Sequence, residues 1–221
     1  MPKITAIKRH PRRERVRVHL EGDASAPVEL ALDLVLRAGL ATGDSLDEAG
    51  LEALQREDET YRARDGALNL LSHRARSRAE IRRRLARKEF GPAVIDETLA
   101  WLDARGYLDD AAFAESFIRD RLRLRPRGRL GLLTELRRKG VDEATAVGAV
   151  DRVMEAEDVD EAALAIDAAD AWARKNQPAV KHAAGSRDDR QRARRRLYAH
   201  LARRGFAPDA VRAGVDRVLG D

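Results

Sequence analysis

Apolar residues recur along the last two thirds of this chain in one repeated spacing. Ile81 and Leu85, Leu132 and Leu136, and Leu197 and Leu201 are pairs four apart, followed five residues later by Phe90, Val141 and Phe206. Beyond these come Ile95, Leu99 and Leu102, then Ala146, Val150 and Val153, then Val211, Val215 and Val218. Spacings of three and four place residues on one helical face, so each set predicts two amphipathic helices joined by a short turn. The stretches "LARKEFGPAVI", "LRRKGVDEATA" and "LARRGFAPDAV" are three copies of that turn with its flanks.

The polar residues between the apolar ones support the same division. Gly140 and Gly205 follow basic residues, where a helix ends in a left-handed residue and cations suit its dipole. Pro92 and Pro208 suit the first position of the next helix, and Asp142 suits its N-cap. Phe90 and Phe206 stand where a hydrophobic staple would place them, opposite Ile95 and Val211. Glu89 replaces the glycine in the first copy, so a looser turn is expected there. Ser77 and Glu80 have the spacing of a capping box opening a helix.

Each helix pair is preceded by a further amphipathic segment, at residues 59–71, 111–124 and 161–175. The unit is therefore three helices, present three times. The polar stretch "NQPAVKHAAGSRDD" reads as a loop insertion near 176–189 and lengthens the last unit. The first 58 residues differ. "KITAIKR" and "RVRVHLEG" alternate apolar and polar residues and predict two short strands, with a third around Val28. Residues 30–38 and 47–56 look helical. The expected organisation is a small mixed lobe at 1–58 and three-helix repeats at 59–108, 109–157 and 158–221. The fold class is mainly α: three tandem repeats in an elongated arrangement, after a small lobe with short β-strands.

Charge adds a second periodicity. The chain carries 43 basic and 38 acidic residues, a net of only +5, but the cations are segregated. "RARSRAEIRRRLARK", "RDRLRLRPRGRLGLLTELRRK" and "RARRRLYAHLARR" are strongly basic, while the remainder is net acidic. A single charge run is ordinarily a solvated helix face; three at equivalent places in a repeat align their fields. A helix-turn-helix that reads bases would put its cations on the second helix. Here residues 93–103 carry only acids and 144–155 a single arginine, so base readout is disfavoured and backbone phosphate contact remains open.

Catalytic chemistry finds little support. His10, His19, His73, His182 and His200 form no HxxxH pair, and the chain has no cysteine, so neither a zinc site nor a disulfide framework is expected. Asp109 and Asp110 read as helix-capping acids rather than metal ligands. Trp101 and Trp172 read as core residues on apolar faces. There is no phosphate loop, GxGxxG or GxSxG. No apolar run is long enough to span a membrane and no signal peptide opens the chain, so a cytoplasmic protein without cofactor is expected.

The strings "LLSHRARSRAEIRRRLARKEF" and "RGYLDDAAFAESFIRDRLRLRPRGRLGLLTELRRKGV", with the "LARRGF" ending, resemble the RecX family, regulators of the RecA recombinase. The resemblance runs from about Arg64 to the C-terminus, and "ITAIKRHPRRERVRVHL" is similar to the family's leader. It implies a non-enzymatic regulator that binds the RecA–DNA filament and inhibits its growth, ATP hydrolysis and strand exchange, hence a role in recombination, DNA repair and the SOS response. It also implies no cofactor or metal. A monomer is expected, with single- or double-stranded DNA as a further contact. The alternative is a nucleic-acid-binding architectural protein without a recombinase partner. The expected binding residues are Arg82, Arg83, Arg87 and Lys88; Arg119, Arg121, Arg125, Arg127, Arg129, Arg137, Arg138 and Lys139; and Arg203 and Arg204. The middle group is the densest. Pro126-Arg127-Gly128 is expected to bend the chain and present two helices to one partner. Reversing Arg127 and Arg129 to Glu should then weaken binding with little effect on stability.

Overall fold

The computed structural model describes residues 2–22 and 27–220. Three strands come first: β1 (Ile4–Arg9), β2 (Arg15–Leu20) and β3 (Val28–Ala31), followed by α1 (Leu32–Arg37) and α2 (Glu48–His73). Next come α3 (Arg78–Ala86), α4 (Pro92–Asp103), α5 (Asp110–Leu124), α6 (Arg129–Lys139) and α7 (Glu143–Ala156). The chain ends with α8 (Glu161–Lys175), α9 (Gln177–Gly185), α10 (Arg187–Arg203) and α11 (Pro208–Leu219). Two compact units result, one of residues up to 75 with 81–107, the other of 76–80 with 108 onward. Among the described residues no helix is long and apolar enough to cross a membrane.

In the first unit the strands form an antiparallel sheet in the order β1-β2-β3, with Ile7 opposite Val18 and Val16 opposite Leu30. Alternation puts Val16 and Val18 on one face, where they are buried with Ile4, Leu30, Leu34 and Val35. The helices expected at 47–56 and 59–71 are one continuous α2. Asp109 and Asp160 each N-cap the first helix of their repeat, accepting from Ala112 N and Ala162 N, both at 2.8 Å. The corresponding acid 51 residues before Asp109 is Asp58, which lies mid-helix instead. Its buried carboxylate accepts from Ala31 N at 2.7 Å and from Arg15 Nη1 and Nη2 at 3.1 and 3.0 Å. An acid that starts a helix elsewhere here ties the sheet to a helix.

The repeated apolar register is the core of the repeats. Ile81, Leu85, Leu132, Leu136, Leu197 and Leu201 are all fully buried. α2 packs on α4, α5 on α7, and α8 on α11. Small residues on α2 (Ala63, Gly66 and Ala67) are buried, which lets its backbone come close to its neighbours. Trp172 is buried as expected, but Trp101 is only half-buried. The guanidinium of Arg105 sits 4.2 Å from the Trp101 ring centroid and that of Arg64 5.2 Å, so this indole packs against cations at the surface.

Two further expectations are corrected. The turn at Glu89 has the same form as its copies: Glu89 takes φ 65°, beside 83° for Gly140 and 75° for Gly205. Phe90 N donates to Leu85 O at 3.4 Å, as Val141 N does to Leu136 O at 3.2 Å. The glutamate therefore accepts a left-handed backbone in a turn of unchanged form. The stretch expected as a loop near 176–189 contains α9 and the start of α10. Pro178 occupies the first turn of α9, while Val180 and Ala183 pack into the core of the third repeat. Ser186 then caps α10, accepting from Asp189 N at 3.5 Å.

Candidate partner interface

The second unit is organised around a contact made twice in the same register. Gly128 opens α6, and Gly128 N donates to Arg204 O at 3.2 Å. Leu130 N and Gly131 N donate to Gly205 O at 3.2 and 3.4 Å. The Glu161 carboxylate accepts from Arg129 N at 3.3 Å and from Ala207 N at 2.9 Å. The orphan amides of one helix start are thus met by the carbonyls ending α10 and by an acid on α8. Exactness of fit is steric as well as polar: a Cβ on Gly131 would lie 2.1 Å from Arg204 O, and one on Gly205 2.0 Å from Gly131 N.

The first turn of α3 repeats the arrangement. Ser77 Oγ donates to Lys139 O at 2.7 Å, and the Asp110 carboxylate accepts from Arg78 N at 2.8 Å. Ser77 and Gly128, like Asp110 and Glu161, are 51 residues apart; Lys139 and Arg204 are 65 apart, the offsets of the repeat itself. Asp109 caps its own helix as expected, whereas Asp110 caps α3. Half of the capping box is present, with Glu80 N donating to Ser77 Oγ at 3.1 Å, and the Glu80 carboxylate pairs with Lys139 Nζ at 2.9 Å.

Against this frame the expected binding cations divide into two groups. Arg82 pairs with Asp96 at 2.6 Å, Arg119 with Glu157 at 3.1 Å, and Arg137 with Glu143 at 3.3 Å. Arg121 and Arg127 clamp the same Glu135, at 2.6 and 2.9 Å. Arg129 meets Asp151 at 2.7 Å, and the homologous Arg194 meets Asp216 at 2.9 Å, so this pair belongs to the repeat's own structure. Arg83 and Lys139 also have partners within the chain. Arg87, Lys88, Arg125, Arg138 and Arg203 are exposed without an ion pair among the described residues.

At the bend Pro126-Arg127-Gly128, the Gly128 amide is taken up by the α10 turn through Arg204 O. Reversing Arg127 and Arg129 to Glu would set like charges against Glu135 and Asp151. A modest loss of stability is then expected beside any loss of binding.

The contact between the α6 start and the α10 turn also brings distant cations together. A groove of about 380 Å³ is lined by Arg127, Arg138 and Arg203, with Leu130, Tyr198 and Val211 among its apolar walls. Leu130 and Tyr198 are 56% and 46% exposed, large apolar surfaces left open to water. Burial and then the charges of Arg204, Arg203, Arg127 and Lys175 hold the His200 imidazole below its ordinary range. Burial and Arg127 likewise lower Arg204, which remains a cation. Sequence reading missed Leu130, Tyr198 and His200. The available signal was phase: Leu130 and Tyr198 fall off the stripes set by Leu132 and Leu136 and by Leu197 and Leu201.

Residues 63–102 match the family model for the first three-helix domain of RecX, and residues 109–149 match that for the second. The regulatory protein RecX of Chlorobium phaeobacteroides (strain BS1) is 38% identical over 163 residues, spanning 74% of this chain and 97% of that protein. The chain belongs to the RecX family. The regulatory protein RecX of Bacillus subtilis (strain 168) is 28% identical over 224 residues, covering 99% of this chain and 78% of its own length. A crystal structure of regulatory protein RecX has the same fold at a TM-score of 0.66 and 21% identity, covering 98% of this chain and all of that one. The two matched RecX domains are the first two repeats, so the third repeat, with α9 and most of the groove's Tyr198 wall, lies beyond them.

Proposed function

We propose that this RecX family member is a non-enzymatic regulator that binds the RecA recombinase on DNA and inhibits filament growth, ATP hydrolysis and strand exchange. The observation that carries the reading is the junction between α6 and the α10 turn. It joins the second and third repeats within one compact unit, so exposed cations such as Arg138 and Arg203 are held together on one surface. Rigid presentation lowers the ordering cost of binding a large, regularly repeating target. Linked modules, each weak alone, then gain from effective concentration. Such a protein works by occupancy, as a monomer in the cytoplasm, and needs no cofactor.

The test is RecA ATPase on single-stranded DNA, with filament length read by electron microscopy, as the protein is titrated. Inhibition and shorter filaments at fewer copies than recombinase subunits are expected. Turnover of nucleotide or DNA by this protein alone would overturn the reading. The second reading, a nucleic-acid-binding architectural protein, is favoured by Arg195 and Arg196 near Tyr198 on α10, exposed without an ion pair among the described residues. Tight, steeply salt-dependent binding to bare DNA with no effect on recombinase would select it.

A further inference from the structure

We infer that the groove between α6 and the α10–α11 turn is a docking site for an acidic peptide segment carrying one large apolar side chain. The inference rests on the reading that this chain acts by binding a protein partner, and it names where and by what chemistry.

Three properties of the groove carry it. First, its walls are fixed. The amides of Leu130 and Gly131 are bound to Gly205 O, and no side chain stands between the two backbones. A pocket built this way keeps its form before the ligand arrives. Second, its floor is apolar and open: Leu130, Tyr198 and Val211 form one lining, and the first two are exposed although hydrated Leu and Tyr surface is unfavourable. A volume of about 380 Å³ admits an aromatic or long aliphatic side chain. Third, its rim is cationic. Among the described residues Arg138 and Arg203, from the second and third repeats, are exposed and carry no ion pair, while the one acid of the lining, Glu135, is already held by Arg121 and Arg127. Carboxylates on either side of an apolar anchor would meet these guanidinium groups.

A nucleic acid would use the same arginines, but its phosphates make no use of Leu130 and Val211. The aliphatic lining favours a peptide. Charge also opposes a second copy of this chain approaching through the same basic surface.

The probe is a short fluorescent peptide of Glu and Asp with one central Phe, compared with the same peptide carrying Ala for Phe and with an oligothymidylate of equal charge. The full chain should bind the Phe peptide roughly tenfold or more tightly than the Ala peptide, the gain expected from burying one aromatic side chain. Leu130→Ala and Tyr198→Ala should erase that difference without lowering the thermal midpoint. Arg138→Glu with Arg203→Glu should weaken both peptides. Equal binding of the two peptides by the native chain would overturn the site. So would oligothymidylate binding that outcompetes the Phe peptide, or a self-association lost in Leu130→Ala. The recombinase assay separates the two levels: inhibition of RecA without any Phe preference sinks this site alone, whereas a Phe preference without inhibition keeps the site and sinks the recombinase reading.

Discussion

Glu89 bears a side chain in a conformation that its two counterparts reserve for glycine. A left-handed L-residue costs roughly 1 to 2 kcal/mol, and glycine loses somewhat less than that in backbone entropy. Glu89→Gly should therefore stabilise the first unit by about 0.5 to 1 kcal/mol, seen as a higher denaturation midpoint; an unchanged or lower midpoint would show that the turn is strain-free. His200 gives a prediction of the opposite sign. Its imidazole is held below its ordinary value in the fold, by burial and then by neighbouring arginines, and regains that value, about 6.5, on unfolding. Below that pH the unfolded chain binds more protons than the folded one, so stability falls as pH drops through the window beneath about 6.5. His200→Gln should flatten part of that fall when thermal midpoints are compared between neutral and mildly acidic buffer.

Among the elements, the start of α6 is the most constrained. Gly131→Ala would force a Cβ to within 2.1 Å of the Arg204 carbonyl oxygen, a backbone atom that cannot rotate away. We expect a loss of roughly 3 kcal/mol or more and increased hydrogen exchange at Leu130 and Gly131, whereas Gly148→Ala, whose nearest neighbour is the mobile end of Arg152, should be nearly neutral. The helices of the repeats were legible because Leu85, Leu136 and Leu201 repeat a burial pattern that water enforces on every copy. The division of α2 was misread because Asp58 occupies the place of two genuine N-caps, and only the sheet, through Ala31 and Arg15, shows its other use. α9 was missed because its packing rests on Val180 and Ala183 alone, within a polar stretch. The cationic surface was legible only as charge. Which arginines remain free depends on acids 6 to 38 positions away, such as Glu143, Glu135 and Glu157, most of them on another helix.

At the scale of the whole chain, the repeats differ in what they leave exposed. The first two lend their second helix starts to other parts of the chain, through Ser77 and Gly128. In the third, the position matching Gly128 is Ala193, buried inside α10, because that helix begins two turns earlier and α9 lies against it. The groove proposed above needs the second and third repeats together, so neither matched RecX domain would contain it alone.

The repeated contact has the logic of a coupling with a plug on one side and a socket on the other. A plug is a helix start with a small cap residue; a socket is a turn ending in a left-handed glycine, flanked by an acid. The middle repeat owns one of each: Gly128 and Gly131 as plug, Lys139, Gly140 and Asp110 as socket. A tandem duplicate of residues 109–157 should therefore fit between the second and third repeats, since its socket offers the middle plug a glycine turn and a carboxylate. The lengthened chain should fold as a soluble species with proportionally more helix by circular dichroism and no loss of thermal midpoint; aggregation or an early first transition would show that the coupling is not interchangeable.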